Sequence, residues 1–277
     1  MKIDRHLLPA IVLPFHDPQA VMLPYLWRLD AWLKTHFSNA YLGLSHPTQL
    51  NQPQAVERLQ SDPFYRLTFN EPGSGPGQHY RSVYQSALDQ SSPERRLHLC
   101  DFDRPVFALS TGYRQAYLDD LAWVNAQSKP VLFQRTSAAW ATYPDNYRLI
   151  EGLVTRVGEL LYGQTYDFGW SYLVLQAADL AWVLPQLNSL DFGVLIEVLL
   201  LLRPCLVTRQ VDWLAWEDPF ILGRDADELR AERSQSHAET VKRLRGLLPF
   251  FRHFLEKEPM LMTDLVWDKE APKNTSD

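Results

Sequence analysis

Asp101 and Asp103 stand two positions apart at the end of the apolar run Leu97-His98-Leu99-Cys100. Such a run reads as a short buried strand. In an open α/β sheet, ligands bind beyond the carboxyl ends of the strands. Two carboxylates at such a tip can hold a hard divalent cation, Mg2+ or Mn2+, and the cation can hold a diphosphate. An Asp-x-Asp triplet is also a common solvated turn, so the strand before it carries the weight of the reading. Arg104 follows at once; it either pairs with phosphate or neutralises the two acids.

Other residues could join this chemistry, each with a plainer alternative. The loop Gly73–Gly77 precedes a helix bearing Arg81. Glycines there let backbone approach phosphate, although the stretch also reads as a flexible turn. It lacks the Gly-Lys-Ser/Thr ending of a P-loop. Arg135 ends a strand-like run and serves an anionic ligand or a salt bridge. Asp167 and Trp170 lie in the loop Tyr166–Ser171; the acid could serve an acceptor and the indole could stack on a sugar or base, or the loop simply caps a helix. Glu197 sits inside an apolar segment, where a carboxylate needs an arginine partner or a function. Trp216-Glu217-Asp218 offers two more acids. His237 on the charged C-terminal helix is a third metal ligand or a solvated histidine. No Gly-x-Ser-x-Gly elbow supports a serine nucleophile.

These residues need a scaffold, and the chain alternates short β-like runs with helical ones. Strands are expected at Ala10–Phe15, Ala40–Leu44, Arg66–Phe69, Leu97–Cys100, Val131–Phe133 and Cys205–Thr208. Helices are expected from Asp17-Pro18 to about His36, then at Gln54–Gln60, Tyr80–Leu88, Tyr147–Leu161, Tyr172–Leu184, Leu195–Leu202 and, as one long helix, Asp225 to about Glu256. The alternation predicts an α/β fold with a mostly parallel mixed sheet flanked by helices and a long C-terminal helix. One domain is expected over residues 1–258, followed by a partly disordered tail over 259–277.

Bulk properties narrow the function. The 277 residues are 46% hydrophobic and 22% charged, ordinary for a globular protein. A formal charge of −6 argues against general nucleic-acid binding, which needs a basic surface. Cys100 and Cys205 both sit in apolar runs and read as buried reduced thiols, consistent with a cytoplasmic protein. No segment is long and uninterrupted enough for a membrane span. Most of the nine tryptophans are expected in the core, Trp27, Trp32, Trp123 and Trp182 among them; any left exposed would hint at an oligomer interface.

The order of parts carries a resemblance. A first strand ends in Pro14-Phe15-His16-Asp17, a glycine-bearing loop and arginine helix follow at Gly77–Arg81, and then comes the tip Asp101-Phe102-Asp103-Arg104. This resembles the nucleotide-diphospho-sugar transferase (GT-A) fold of glycosyltransferases. More narrowly it is similar to uncharacterised bacterial members with a Cys-Asp-x-Asp-Arg strand tip. Those continue with parts that look like Arg135-Thr136, Pro144 to Glu151, Asp167, Glu197 and Trp216-Glu217 here. The resemblance spans roughly residues 8 to 220.

The resemblance implies a metal-dependent transferase that takes a sugar from a nucleotide-diphospho-sugar to an acceptor the sequence does not name. It places Phe15, His16 and Asp17 near the base and ribose, Arg81 near the phosphates, and Asp101 and Asp103 on Mg2+ or Mn2+. Arg104, Arg135 and Trp170 would complete the nucleotide-sugar site. An inverting reaction needs a carboxylate base, for which Asp167 and Glu197 are the candidates. Two departures stand out. His16-Asp17-Pro18 replaces the usual Asn- or Glu-rich pattern after the first strand, and Phe168-Gly169-Trp170-Ser171-Tyr172 replaces a glycine-rich acceptor turn. The alternatives are a non-catalytic GT-A-like protein that binds a nucleotide or sugar, and a nucleotidyltransferase, which usually shows a Gly-x-Gly-x-Arg loop absent here.

Overall fold

The computed structural model describes residues 8–257. The expected tail over 259–277 lies outside the described residues. Seven strands form one sheet: β1 (Ala10–Phe15), β2 (Ala40–Leu44), β3 (Tyr65–Phe69), β4 (Arg96–Cys100), β5 (Val131–Arg135), β6 (Tyr172–Gln176) and β7 (Val207–Val211), in the order β3-β2-β1-β4-β6-β5-β7. All neighbouring pairs are parallel except β4/β6 and β5/β6, so β6 alone runs against the rest. The α/β, mostly parallel mixed sheet expected from the alternation is what the chain forms.

Successive side chains of a strand face opposite sides, and the core divides accordingly. Val12, Leu99, Leu132 and Leu173 lie side by side in register and face one apolar cluster. Ile11, Leu13, Phe133 and Val174 face the other. Each such buried side chain contributes on the order of 1.5–3 kcal/mol relative to exposure. Helices cover both faces. In chain order they are α1 (Leu23–His36), α2 (His46–Asn51), α3 (Pro53–Gln60), α4 (Pro76–Asp89), α5 (Asp103–Ser110), α6 (Arg114–Asn125), α7 (Ser137–Ala141), α8 (Asp145–Tyr162), α9 (Ala177–Val183), α10 (Gly193–Leu202), α11 (Asp218–Leu222), α12 (Ala226–Gln235) and α13 (His237–Lys257). Of these, α4, α8, α10 and α13 contribute to the first cluster, while α1, α5 and α6 contribute to the second.

Several expectations need correction. The apolar stretch Tyr172–Leu184 is not one helix. Its first five residues are β6, and a helix follows over Ala177–Val183. Because β6 is buried on both faces, it shows no alternation that would separate it from a helix. The long C-terminal helix is two, Ala226–Gln235 and His237–Lys257, divided at Ser236, whose backbone is extended and whose hydroxyl accepts from the Glu239 amide at 3.2 Å. The first helix starts at Leu23 rather than Pro18, so Pro24 marks its first turn. Cys100 is buried as expected, but Cys205 is exposed. Trp27, Trp32 and Trp123 are only half-buried and Trp182 is exposed. Among the described residues no helix is long and apolar enough to cross a membrane.

Candidate functional site

The strand order places a switch point between β1 and β4, since β2 extends the sheet on one side of β1 and β4 on the other. At that point the carboxyl ends of β1, β2 and β4 open into a cleft of about 630 Å3. Phe15 and His16 from β1 and its exit, Ser45 and His46 beyond β2, the Asn70–Pro76 loop, His79 and Tyr80 of α4, and Asp101, Phe102 and Asp103 beyond β4 line it. No lysine or arginine is among its lining residues. A second cavity of about 270 Å3 lies on the other side of Asp101, lined by Arg104, Arg135, Tyr143, Glu151, Trp170 and Glu217 among others. Tyr80, Asp101 and Phe192 belong to both.

The acid pair sits at this junction. Asp101 is fixed by its own amide, which donates to the Ser171 carbonyl at 3.1 Å, and by the Tyr80 hydroxyl, which donates to Oδ1 at 3.1 Å. Burial, with the Asp103 charge beside it, pushes the Asp101 carboxyl up to about 7. Asp103 begins α5, and its Oδ1 has no hydrogen-bond partner; the nearest cation is Arg104 Nε at 3.6 Å. Arg104 is turned the other way, into the smaller cavity, where it pairs with Glu217 and donates to the Tyr143 hydroxyl at 3.0 Å. Burial disfavours the Arg104 charge, but Glu217, Tyr143 and the two aspartates more than offset it, so it stays protonated. Burial also raises the Glu217 carboxyl, with Arg104 opposing.

Arg135, Asp167, Glu151 and Arg243 form one ion cluster. Arg135 Nε donates to Asp167 Oδ2 at 2.6 Å, and its two terminal nitrogens meet Asp167 Oδ1 at 2.5 Å and Glu151 Oε2 at 2.8 Å. Glu151 Oε1 in turn meets Arg243 at 3.1 Å. The Trp140 ring stacks under the Arg135 guanidinium, 3.6 Å from its centroid. Both Asp167 oxygens are therefore taken by one arginine. Trp170 lines the same cavity but is buried, with its indole N–H donating to the Leu195 carbonyl at 3.0 Å.

Three expected site residues lie elsewhere. Asp17 is structural: its carboxylate accepts from the amides of Val21 and Met22, which lead into α1, and of Leu23, its first residue, at 2.7–2.9 Å. Arg81 lines a separate surface depression with Gln78 and Gln85. The α4 stripe His79, Tyr80, Val83, Tyr84 and Ala87 is the buried one, and Arg81 is off it. Glu197 lines neither cavity; its Oε2 accepts from the amides of Asn188 and Ser189 at 3.0 and 3.1 Å. It thereby holds the loop that leads to Phe192. His237 stands apart from the acid pair, beside Lys242 and Arg245.

Among the described residues no group of three or more His, Cys, Asp or Glu side chains has the arrangement of a metal cage. The donor set is two carboxylates, one with an unpartnered buried oxygen. That suits a cation such as Mg2+, which usually takes one or two carboxylates and completes its shell with substrate phosphates and water. Residues not singled out from sequence are Tyr80, Asn70, His79, Tyr143 and Arg243. Only the aromatic-rich stripe of α4 signalled any of them.

Comparison with protein-family models and with curated proteins gives no match to this chain.

Proposed function

We propose that this protein is a metal-dependent glycosyltransferase that uses a nucleotide-diphospho-sugar. The observation that carries the reading is the junction: two cavities of unequal size meet at Asp101, beyond the carboxyl end of β4 and at the switch point of the sheet. A mostly parallel sheet with an acidic tip there is what the resemblance to GT-A transferases implies. In this reading the larger cleft takes the donor nucleotide, with Phe15 and His16 at its base and ribose end. The smaller, aromatic-walled cavity takes the acceptor. Asp101 and Asp103 would hold Mg2+ or Mn2+, which neutralises the leaving diphosphate when bound.

A second reading, a GT-A-like protein that binds without turnover, is favoured by the full engagement of Asp167 and the remoteness of Glu197.

The test is a thermal-shift screen of nucleoside diphosphates and their sugars, with and without Mn2+, followed by donor-hydrolysis assays. A ligand that binds only the folded state raises the midpoint. A metal-dependent rise that Asp103→Ala abolishes supports the donor site, and hydrolysis lost in the same variant supports the transferase. Binding without hydrolysis favours the second reading. No shift with any nucleotide in folded protein overturns both.

A further inference from the structure

One wall of the larger cleft carries an unsatisfied hydrogen-bond donor. Asn70 Nδ2 lies 3.2 Å from the carbonyl oxygen of Leu44 and 2.7 Å from His79 Nδ1. A carbonyl oxygen only accepts, so the Asn70 atom facing it is the amide NH2. Asn70 Oδ1 accordingly accepts from the Ser82 hydroxyl at 2.9 Å. The same NH2 donates to His79 Nδ1, which is therefore the unprotonated ring nitrogen, and the proton sits on Nε2. His79 is 9% exposed and lines the cleft, and its buried Nε2 has no hydrogen-bond partner among the described residues.

Resting on the donor reading above, we propose that the Nε2–H of His79 is a specificity-determining donor for a nucleobase carbonyl oxygen, so that the cleft selects a base with an oxo group where cytosine and adenine carry an amino group, as uracil (O4) and guanine (O6) do. Two observations, together with the donor reading, direct this donor to a base rather than to phosphate. Burial pushes the His79 pKa down to about 4, so the ring is neutral and offers a diphosphate no charge. Pro14, Phe15 and Pro47 give the cleft the apolar walls that hold a flat heteroaromatic ring. The charged end of a nucleotide belongs with the acid pair and its cation. An amino group presented at the same edge sets N–H against N–H and leaves both unpaired, which is how hydrogen-bonding sites reject near-isosteres. Asn70 and Ser82 are positioning residues: they fix which ring nitrogen holds the proton.

The experiment is equilibrium binding of UDP, GDP, CDP and ADP to the full chain in Mn2+, for the native protein, His79→Phe and His79→Gln. UDP or GDP is expected to bind about tenfold more tightly than CDP and ADP, the equivalent of one hydrogen bond. His79→Phe keeps the ring but loses the donor, and the preference should collapse. His79→Gln restores an N–H donor and should retain it. Because the readout is a ratio within each variant, a general loss of affinity does not imitate the result. Native protein that binds the four alike, or a preference that survives in His79→Phe, overturns the role of His79 and leaves the donor site standing. Native, folded protein that binds none of them overturns both.

Discussion

The Tyr80 hydroxyl donates to Asp101 Oδ1 at 3.1 Å, and these two residues together form the partition between the larger and the smaller cavity. The bond favours the ionised carboxylate, against the burial that raises it. In Tyr80→Phe the carboxyl is more readily protonated and holds a cation less well. Mn2+-dependent nucleotide affinity is expected to fall about tenfold, from a hydrogen bond to a charged group worth roughly 1.5–3 kcal/mol. Titration of Mn2+ at fixed nucleotide measures it, and unchanged affinity would remove Asp101 from the cation site.

Arg135 is the hub of a buried ion cluster, and its removal leaves Asp167 without a charge partner among the described residues and Glu151 with Arg243 alone. Breaking one side of such a cluster costs about 3–5 kcal/mol. Urea denaturation of Arg135→Met should show a loss of that order. Arg81→Ala, on the open face of α4, should change neither stability nor nucleotide binding.

Glu197→Gln separates a structural from a chemical carboxylate. A glutamine oxygen can still accept from the Asn188 and Ser189 amides, so activity and stability should stay near native. Glu197→Leu leaves two amides unpaired and should lose about 1–3 kcal/mol per unsatisfied group. A large loss of turnover in Glu197→Gln, with stability intact, would instead return Glu197 to a catalytic role.

Gly77 has no room for a side chain: a Cβ would strike the Ser189 carbonyl oxygen and lie 2.7 Å from the Leu190 carbonyl carbon. These are backbone atoms of the loop that ends at Phe192, so Gly77→Ala must displace a wall of both cavities. It should destabilise by about 1–3 kcal/mol and weaken nucleotide binding as well. Gly112→Ala, which meets nothing within 4 Å, is the control and should be near neutral.

One part of the acid dependence of stability is set by a buried histidine. His98 is held between the Tyr172 hydroxyl and Asn125 Oδ1, and burial lowers its pKa from 6.5 to about 4. Between those values the unfolded chain binds the proton and the folded one does not. The contribution of neutral His98 is therefore complete above pH 6.5 and is lost as pH falls toward 4, by at most about 1.4 kcal/mol per pH unit. Asp101, raised to about 7, and Glu217, raised to about 8, act in the opposite sense and His79, lowered to about 4, in the same, so the quantity to read is native minus His98→Gln. Urea midpoints from pH 7 to 4.5 should fall less steeply in the variant; parallel curves would contradict the assignment.

Strands β1, β2, β4 and β5 are legible because each carries a compact apolar run, and Asp101 and Asp103 because two acids end one of them; β3, Tyr65–Phe69, has Arg66 and Thr68 in place of such a run. Other features carry signals of their own. Ser236-His-Ala-Glu239 is a helix-start pattern in the middle of a charged stretch, and the Tyr80, Val83, Tyr84, Ala87 stripe already turns Arg81 away from the sheet. The pairing of Arg135 with Asp167, 32 residues on, had no local signal. Such pairing depends on which strand tips the topology brings together. The His79 tautomer likewise depends on a carbonyl of β2, 35 positions earlier in the chain.

The reversed strand β6 sets the order in which the sheet can be completed as the chain leaves the ribosome. Strands β1 to β4 can pair among themselves as soon as Cys100 has emerged. β5 follows but has no place beside β4, because β6 must come between them. Until Gln176 is made, one edge of β4 stays bare, and bare edges recruit other chains. A nascent chain stalled between the fifth and sixth strands is thus the form most in need of a chaperone, and one stalled just after the sixth is already closed across its centre.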